Sequence, residues 1–277
     1  MANAPTKPTT PVKKESSSTS GLFATLTIPI CIVVGILIFM FVLGAPSNYA
    51  DGDVEHGTPN FLGNMHRGGN LVPIIMSYLL SVIVFSIERF VVIGKASGTS
   101  SVDVFVRKIQ ALLNAGNIDG ASVECDKQKG SVANVIKSGL KKYKEMDADV
   151  SMDVDQKVLA IQKDIEEATT LEMPMLEQNL NIIATFVSIG TLTGLLGTVF
   201  GMINAFAALA ASGAASQTAL SASISEALVN TALGISTSAI SIIMYNVFTA
   251  KIDKLTYAID ETGFSIVQTF AASHKNK

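Results

Sequence analysis

One acid stands alone in a long uncharged stretch: between residues 178 and 250 the sole charged side chain is Glu226. An ionisable group in an apolar helix is costly unless it meets water or a partner, which makes Glu226 a candidate for an ion pathway. Four hydroxyls accompany it, with Thr191 and Thr198 two helical turns apart and Thr231 and Ser238 likewise. Such groups either line a polar path or bond the carbonyl four residues back in their own helix. Gly190, Gly194, Gly197 and Gly201 recur at steps of four, three and four. That spacing puts them on one helix face, where a neighbouring backbone can come close. In the next apolar run Ser223, Glu226, Asn230, Thr231, Gly234, Thr237, Ser238 and Ser241 fall on one broad side, with Leu228, Ile235, Ile242 and Ile243 on the other.

Several chemistries fail on their own requirements. The run from Gly194 to Thr198 lacks the Lys of a phosphate-binding loop, and Gly234-Ile-Ser-Thr-Ser does not complete a nucleophile elbow. The three histidines are His56, His66 and His274, none of them in an apolar run where it could serve as a base. Asp51, Asp53, Glu55, His56 and His66 share a polar segment without recognised ligand spacing, so a solvated loop is expected there. Cys31 and Cys125 are too few for a disulfide framework. No enzyme activity, metal or cofactor is therefore expected.

The elements that hold these residues must be membrane helices. Of the 277 residues 48% are hydrophobic and only 16% charged, where a soluble chain carries about 25% charged residues. With 20 Lys and Arg against 23 Asp and Glu, the net charge of -3 offers no basic surface for nucleic acid. Since an apolar helix of about 20 residues spans a bilayer, four spans are expected, at 21–44, 71–95, 178–211 and 220–250. The first is too apolar and too long for the core of a signal peptide, about 7 to 15 residues, and reads as an uncleaved helix. Lys7, Lys13 and Lys14 precede it, whereas the 45–70 segment has Arg67 as its only base. Both termini are therefore expected in the cytoplasm and the 45–70 loop and 212–219 turn outside it.

The 96–177 region holds most of the charge and is too long for a loop. Val102, Val104, Phe105, Ile109, Leu112 and Leu113 recur at helical spacing, as do Val132, Val135, Ile136 and Leu140, then Val158, Ile161, Ile165 and Leu171. A helical cytoplasmic bundle follows, to which Ile252, Leu255, Ile259, Ile266 and Phe270 add a C-terminal helix at 251–277. Residues 1–20, rich in Pro, Thr, Ser and Lys, lack the apolar content to bury anything and are expected to be disordered. The fold class is an all-α membrane protein.

Three stretches carry a resemblance: Gly194-Leu-Leu-Gly-Thr-Val-Phe-Gly201, Ser225-Glu-Ala-Leu-Val-Asn-Thr-Ala-Leu-Gly234 and Tyr245-Asn-Val-Phe248. They resemble the MotA/TolQ/ExbB proton channel family, most of all its ExbB and TolQ branches. The resemblance implies a ring of five copies around two helices of an ExbD or TolR type partner, whose Asp carries the proton. By position it implies that Thr198, Thr231 and Glu226 line the ion path. It further implies an inner-membrane motor driven by protons, with sodium the alternative ion. Such a motor would energise TonB-dependent outer-membrane transport, with Tol-Pal envelope maintenance, gliding or a flagellar stator as alternatives. A passive helical scaffold without ion flux is the reading from a different class. In this chain Thr191 stands where the family often has Pro, and the first span precedes the one with which most members begin. That extra span is bulky and uncharged, as suits a lipid-facing anchor. Gly190, Gly194, Gly197, Gly201 and Gly234 are expected to pack helices, and a larger side chain at Gly194 or Gly201 to break the ring.

Overall fold

The computed structural model describes residues 17–54, 57–212 and 217–274, and among them the regular structure is helical throughout. In chain order the helices are α1 (Ser17–Leu37), α2 (Phe61–His66), α3 (Val72–Ser97), α4 (Val102–Asn114), α5 (Ile118–Gln128), α6 (Gly130–Ala148), α7 (Val154–Glu177), α8 (Leu180–Ser212) and α9 (Gln217–His274). Four helical stretches are long and apolar enough to cross a bilayer: Phe23–Leu43, Gly69–Asn114, Val154–Ala210 and Leu220–His274. The chain is a multi-pass membrane protein. Most of the expected disordered tail lies outside the described residues, but α1 starts inside it, at Ser17. Of the turn expected at 212–219, residues 213–216 lie outside them, while α8 runs to Ser212 and α9 already starts at Gln217.

Helix α9 differs from the expectation of a span followed by a separate C-terminal helix. It runs unbroken for 58 residues, roughly 87 Å at 1.5 Å per residue, far beyond a hydrocarbon core about 30 Å thick. Nothing in Thr249-Ala-Lys-Ile252 breaks a helix, since no Gly or Pro stands there. One end of α9 lies against α8, and the other packs into a bundle with α4, α6 and α7. A charge-poor membrane pair and a charge-rich bundle thus share one rigid rod.

The bundle's core is the set of helical stripes. Val102, Phe105, Ile109 and Leu113 of α4 are buried with Val132, Val135, Ile136 and Leu140 of α6, Ile161 and Ile165 of α7, and Ile252, Leu255, Ile259, Ile266 and Phe270 of α9. Two stripe members depart from expectation: Val104 and Leu171 are exposed, Leu171 at 82%. Leu171 lies six residues beyond Ile165, which at 3.6 residues per turn is well off the buried face. Asp153 caps α7, its side chain accepting from the Gln156 amide at 2.7 Å.

Cys125 is buried on α5. Loss of solvation, helped by the neighbouring Asp126 carboxylate, pushes its thiol from an ordinary 9.0 up to about 12. The folded chain should therefore alkylate at Cys125 roughly a thousandfold more slowly than the denatured chain at pH 8, because each unit is a tenfold change in thiolate. Peptide mass spectrometry reads this directly, and equal rates would overturn it. The same shift makes stability pH-dependent: it is intact below pH 9.0 and lost as the pH rises toward 12.

Helix α1 lies along α3 and makes its long contacts there. Phe23 meets Phe85 edge-on at 6.1 Å, and Cys31 is buried. Leu26, Ile30 and Val33 are exposed, as a lipid-facing helix requires. Its end opens into a π-turn at Ile38–Leu43, followed by the segment that leads through α2 back to α3.

A polar seam in the paired membrane helices

The α8 and α9 helices touch because glycines remove the side chains between them. A Cβ added at Gly194 would stand 3.1 Å from the Asn230 carbonyl oxygen, and one at Gly197 only 2.4 Å from the Asn230 Cβ. At Gly201 it would meet the Ala227 Cβ at 2.7 Å, and at Gly190 the Gly234 oxygen at 3.1 Å. Gly234 answers from α9, where a Cβ would lie 2.6 Å from the Gly190 oxygen and 2.8 Å from the Gly194 Cα. All five contacts are within one chain. The glycine face expected to hold neighbouring copies together is occupied by the chain's own α9, so a bulky substitution there acts first on the hairpin.

The four hydroxyls separate into two pairs. Thr231 donates from the seam, with the Gly194 oxygen of α8 and the Ala227 oxygen of its own helix both at 3.2 Å. Ser238 donates across the seam to the Val187 oxygen at 2.6 Å. Thr198 instead turns to its own helix, donating to the Leu195 oxygen at 2.6 Å, and Thr191 does so to Val187 at 3.4 Å. Thr191 is exposed and Thr198 half-buried. Helix α8 thus presents its hydroxyls away from the seam while α9 presents them into it. Leu192, Leu195, Val199, Ile203 and Phe206 form an exposed apolar surface on α8.

Glu226 and Asn230, one turn apart on α9, meet the segment that enters α3. The Asn230 amide donates to the Gly68 oxygen at 2.9 Å, and an added Cβ at Gly69 would lie 2.1 Å from a Glu226 carboxylate oxygen. Glu226 is half-buried and Asn230 1% exposed. Residues from opposite ends of the sequence are brought together at this end of α9. His66 stands just before this turn, its Nδ1 2.8 Å from the Tyr49 hydroxyl and its ring 4.6 Å from Phe39. Burial pushes the imidazole below its usual range. His66 is thus engaged in packing, and His56 lies outside the described residues.

Residues 127–261 match the MotA/TolQ/ExbB proton channel family. The match covers just under half of the chain. Its matched region begins in α5 and ends in α9, so it holds the glycine face, Thr198, Thr231 and Glu226 and leaves α1 through α4 outside. Among similar proteins is the Tol-Pal system protein TolQ of Pseudomonas aeruginosa, 30% identical over 124 residues, which are 45% of this chain and 54% of that one. A putative biopolymer transport protein ExbB-like 3 of Synechocystis is 34% identical over 86 residues, 30% of this chain and 41% of that one. The biopolymer transport protein ExbB of Xanthomonas campestris is 26% identical over 115 residues, 42% and 46% of the two chains. The chain spans about half the length of the curated relatives it matches.

Arg89 and Asn179, to which the sequence assigns no packing role, tie α3 to the matched segment. Arg89 of α3, wholly buried, donates through its Nε to the Glu88 carboxylate at 2.6 Å and through a terminal nitrogen to the Met175 and Leu176 oxygens at 3.2 and 3.3 Å. Asn179, at φ 62, donates to Glu88 from the break between α7 and α8. The signal was present as an adjacent Glu and Arg inside an apolar run.

Proposed function

We propose that this chain is an ExbB/TolQ-like ring subunit of a proton-driven motor in the bacterial inner membrane, energising TonB-dependent outer-membrane transport. The observation that carries the reading is the glycine-tight α8 and α9 pair, with the Thr231 hydroxyl in its seam and Glu226 at its head, inside the family-matched segment. A carboxylate on a partner helix cannot sit bare and charged in the bilayer core. A wall offering hydroxyls and one acid, with apolar surface elsewhere, lets such a carboxylate exchange its proton and move. Thr198, Thr231 and Glu226 are the residues assigned to that wall. The partner is an ExbD or TolR type protein with a transmembrane Asp, the copy number five, the ion a proton or sodium, and both termini cytoplasmic. The chain moves ions and force rather than catalysing bond chemistry. A Tol-Pal role is the second reading, favoured by the TolQ relative, whose matched stretch is longer than those of the ExbB relatives.

Flux into liposomes, with and without the partner, tests this. Thr231→Val keeps the shape and removes one hydroxyl, costing about 1 kcal/mol of stability. The complex should assemble and its flux be lost. Assembly with wild-type flux would remove Thr231 from the path, and a wild-type complex that passes no ions would leave the passive scaffold. Thr198→Val is expected to behave the same way.

A further inference from the structure

The meeting of α9 with the segment that precedes α3 is built from residues on both sides of the family boundary. Gly68 and Gly69 place bare backbone directly on α9. A Cβ at Gly68 would stand 2.7 Å from a Val229 methyl, and one at Gly69 would collide with the Glu226 carboxylate. Gly69 also has φ +75, a conformation that L side chains rarely adopt. Asn230 fixes the turn by donating to the Gly68 oxygen, while its own Oδ1 is buried with no hydrogen-bond partner. A buried polar side chain half-satisfied in this way is costly, since an unpaired acceptor gives up its hydration and gains no partner in return.

We propose that the turn at Gly68 and Gly69 is a lid over Glu226, latched by Asn230, through which the segment between the first two spans sets how ions reach the head of α9. Asn230 is a positioning residue: it acts on Glu226 through the turn it holds. The proposal rests on the ion-path reading of Glu226, but its test needs neither partner nor flux. The added N-terminal span acquires a mechanical role, because it anchors the far end of the segment that carries the lid.

The test uses the full chain in lipid nanodiscs, treated with a water-soluble carbodiimide and an amine nucleophile. Glu226 is the only carboxyl between residues 178 and 250, so peptides from that stretch report it alone. Asn230→Leu removes the latch and should raise the labelling rate about tenfold, as expected for one lost hydrogen bond. Gly69→Ala, which forces the turn off the carboxylate, should do the same and provides the second arm if Asn230→Leu does not fold. Asn230→Asp separates a latch from mere packing, with fragmentation distinguishing labels at 226 and 230. Its Glu226 rate relative to wild type should be near one at acid pH, where the introduced carboxyl is protonated and can donate to Gly68. The ratio should rise as that carboxyl ionises. Equal rates in wild type, Asn230→Leu and Gly69→Ala, all folded by circular dichroism, would overturn the lid. Failure of liposome flux with normal labelling differences would instead overturn the motor reading and leave the lid standing.

Discussion

Alanine at Gly234 or Gly197 should lower the melting temperature of the purified chain more than alanine at any other glycine of the α8 and α9 seam. Each added methyl falls on atoms that cannot swing away. At Gly234 these are the Gly190 oxygen at 2.6 Å and the Gly194 Cα at 2.8 Å, and at Gly197 the Asn230 Cβ at 2.4 Å. Relief requires the helices to separate, and overpacking of this kind costs about 1 to 3 kcal/mol or somewhat more. Separation also strains the Thr231 and Ser238 bonds to α8, so the loss should be cooperative. Gly190 and Gly194, whose nearest contacts are at 3.1 Å, should give smaller losses, with Gly201 between the two groups. Gly94 on α3 is the control: nothing lies within 4 Å of its added Cβ. There alanine should be neutral or gain up to about 1 kcal/mol of helix propensity. Thermal melts in detergent by circular dichroism rank the six variants. If Gly94→Ala melts as low as Gly197→Ala, close approach is not what holds the pair.

Those glycines were legible as a face and illegible as an interface. Steps of four, three and four define one side of a helix whatever lies beyond it. Only coordinates assign that side to the chain's own α9 rather than to a neighbouring copy. The same limit applies to the hydroxyls, since helical spacing aligns Thr198 with Thr191 and Thr231 with Ser238 but does not say which pair enters the seam. Local features with strong periodicity were readable: the apolar runs, the stripe from Ile252 to Phe270, the isolation of Glu226. Contacts between distant positions were not, because each end alone has an ordinary explanation. Asn230 reads as one polar residue among many until Gly68, far away in sequence, accepts its amide. Leu171 departs for a narrower reason: six residues from Ile165 on a helix of 3.6 residues per turn, it points off the buried stripe.

Arg89 is the other such contact, and its loss should be the most damaging single change on α3. Its guanidinium is fully buried, bonded to Glu88 on one side and to the Met175 and Leu176 oxygens on the other. Those two oxygens belong to the last turn of α7, where carbonyls lack intrahelical donors and the helix dipole favours a cation. Arg89 therefore joins span α3 to the point where α7 ends and α8 begins, between the bundle and the paired membrane helices. Arg89→Met fills the space but leaves Glu88 without its counterion and the α7 carbonyls uncapped. Breaking one side of a buried pair costs about 3 to 5 kcal/mol; Glu88 retains 21% exposure, so the lower figure applies. Arg89→Lys keeps the charge without the planar fork and should recover part of the loss, since an ammonium cannot serve carboxylate and carbonyls at once in that geometry. Glu88→Gln with Arg89→Met should be less damaging than the two single losses added together, because each single change strands a partner that the double change removes. Melting temperatures of the four variants in detergent close this cycle. A melt for Arg89→Met within a degree or two of wild type would mean that α7 and α8 are held to α3 by apolar packing alone.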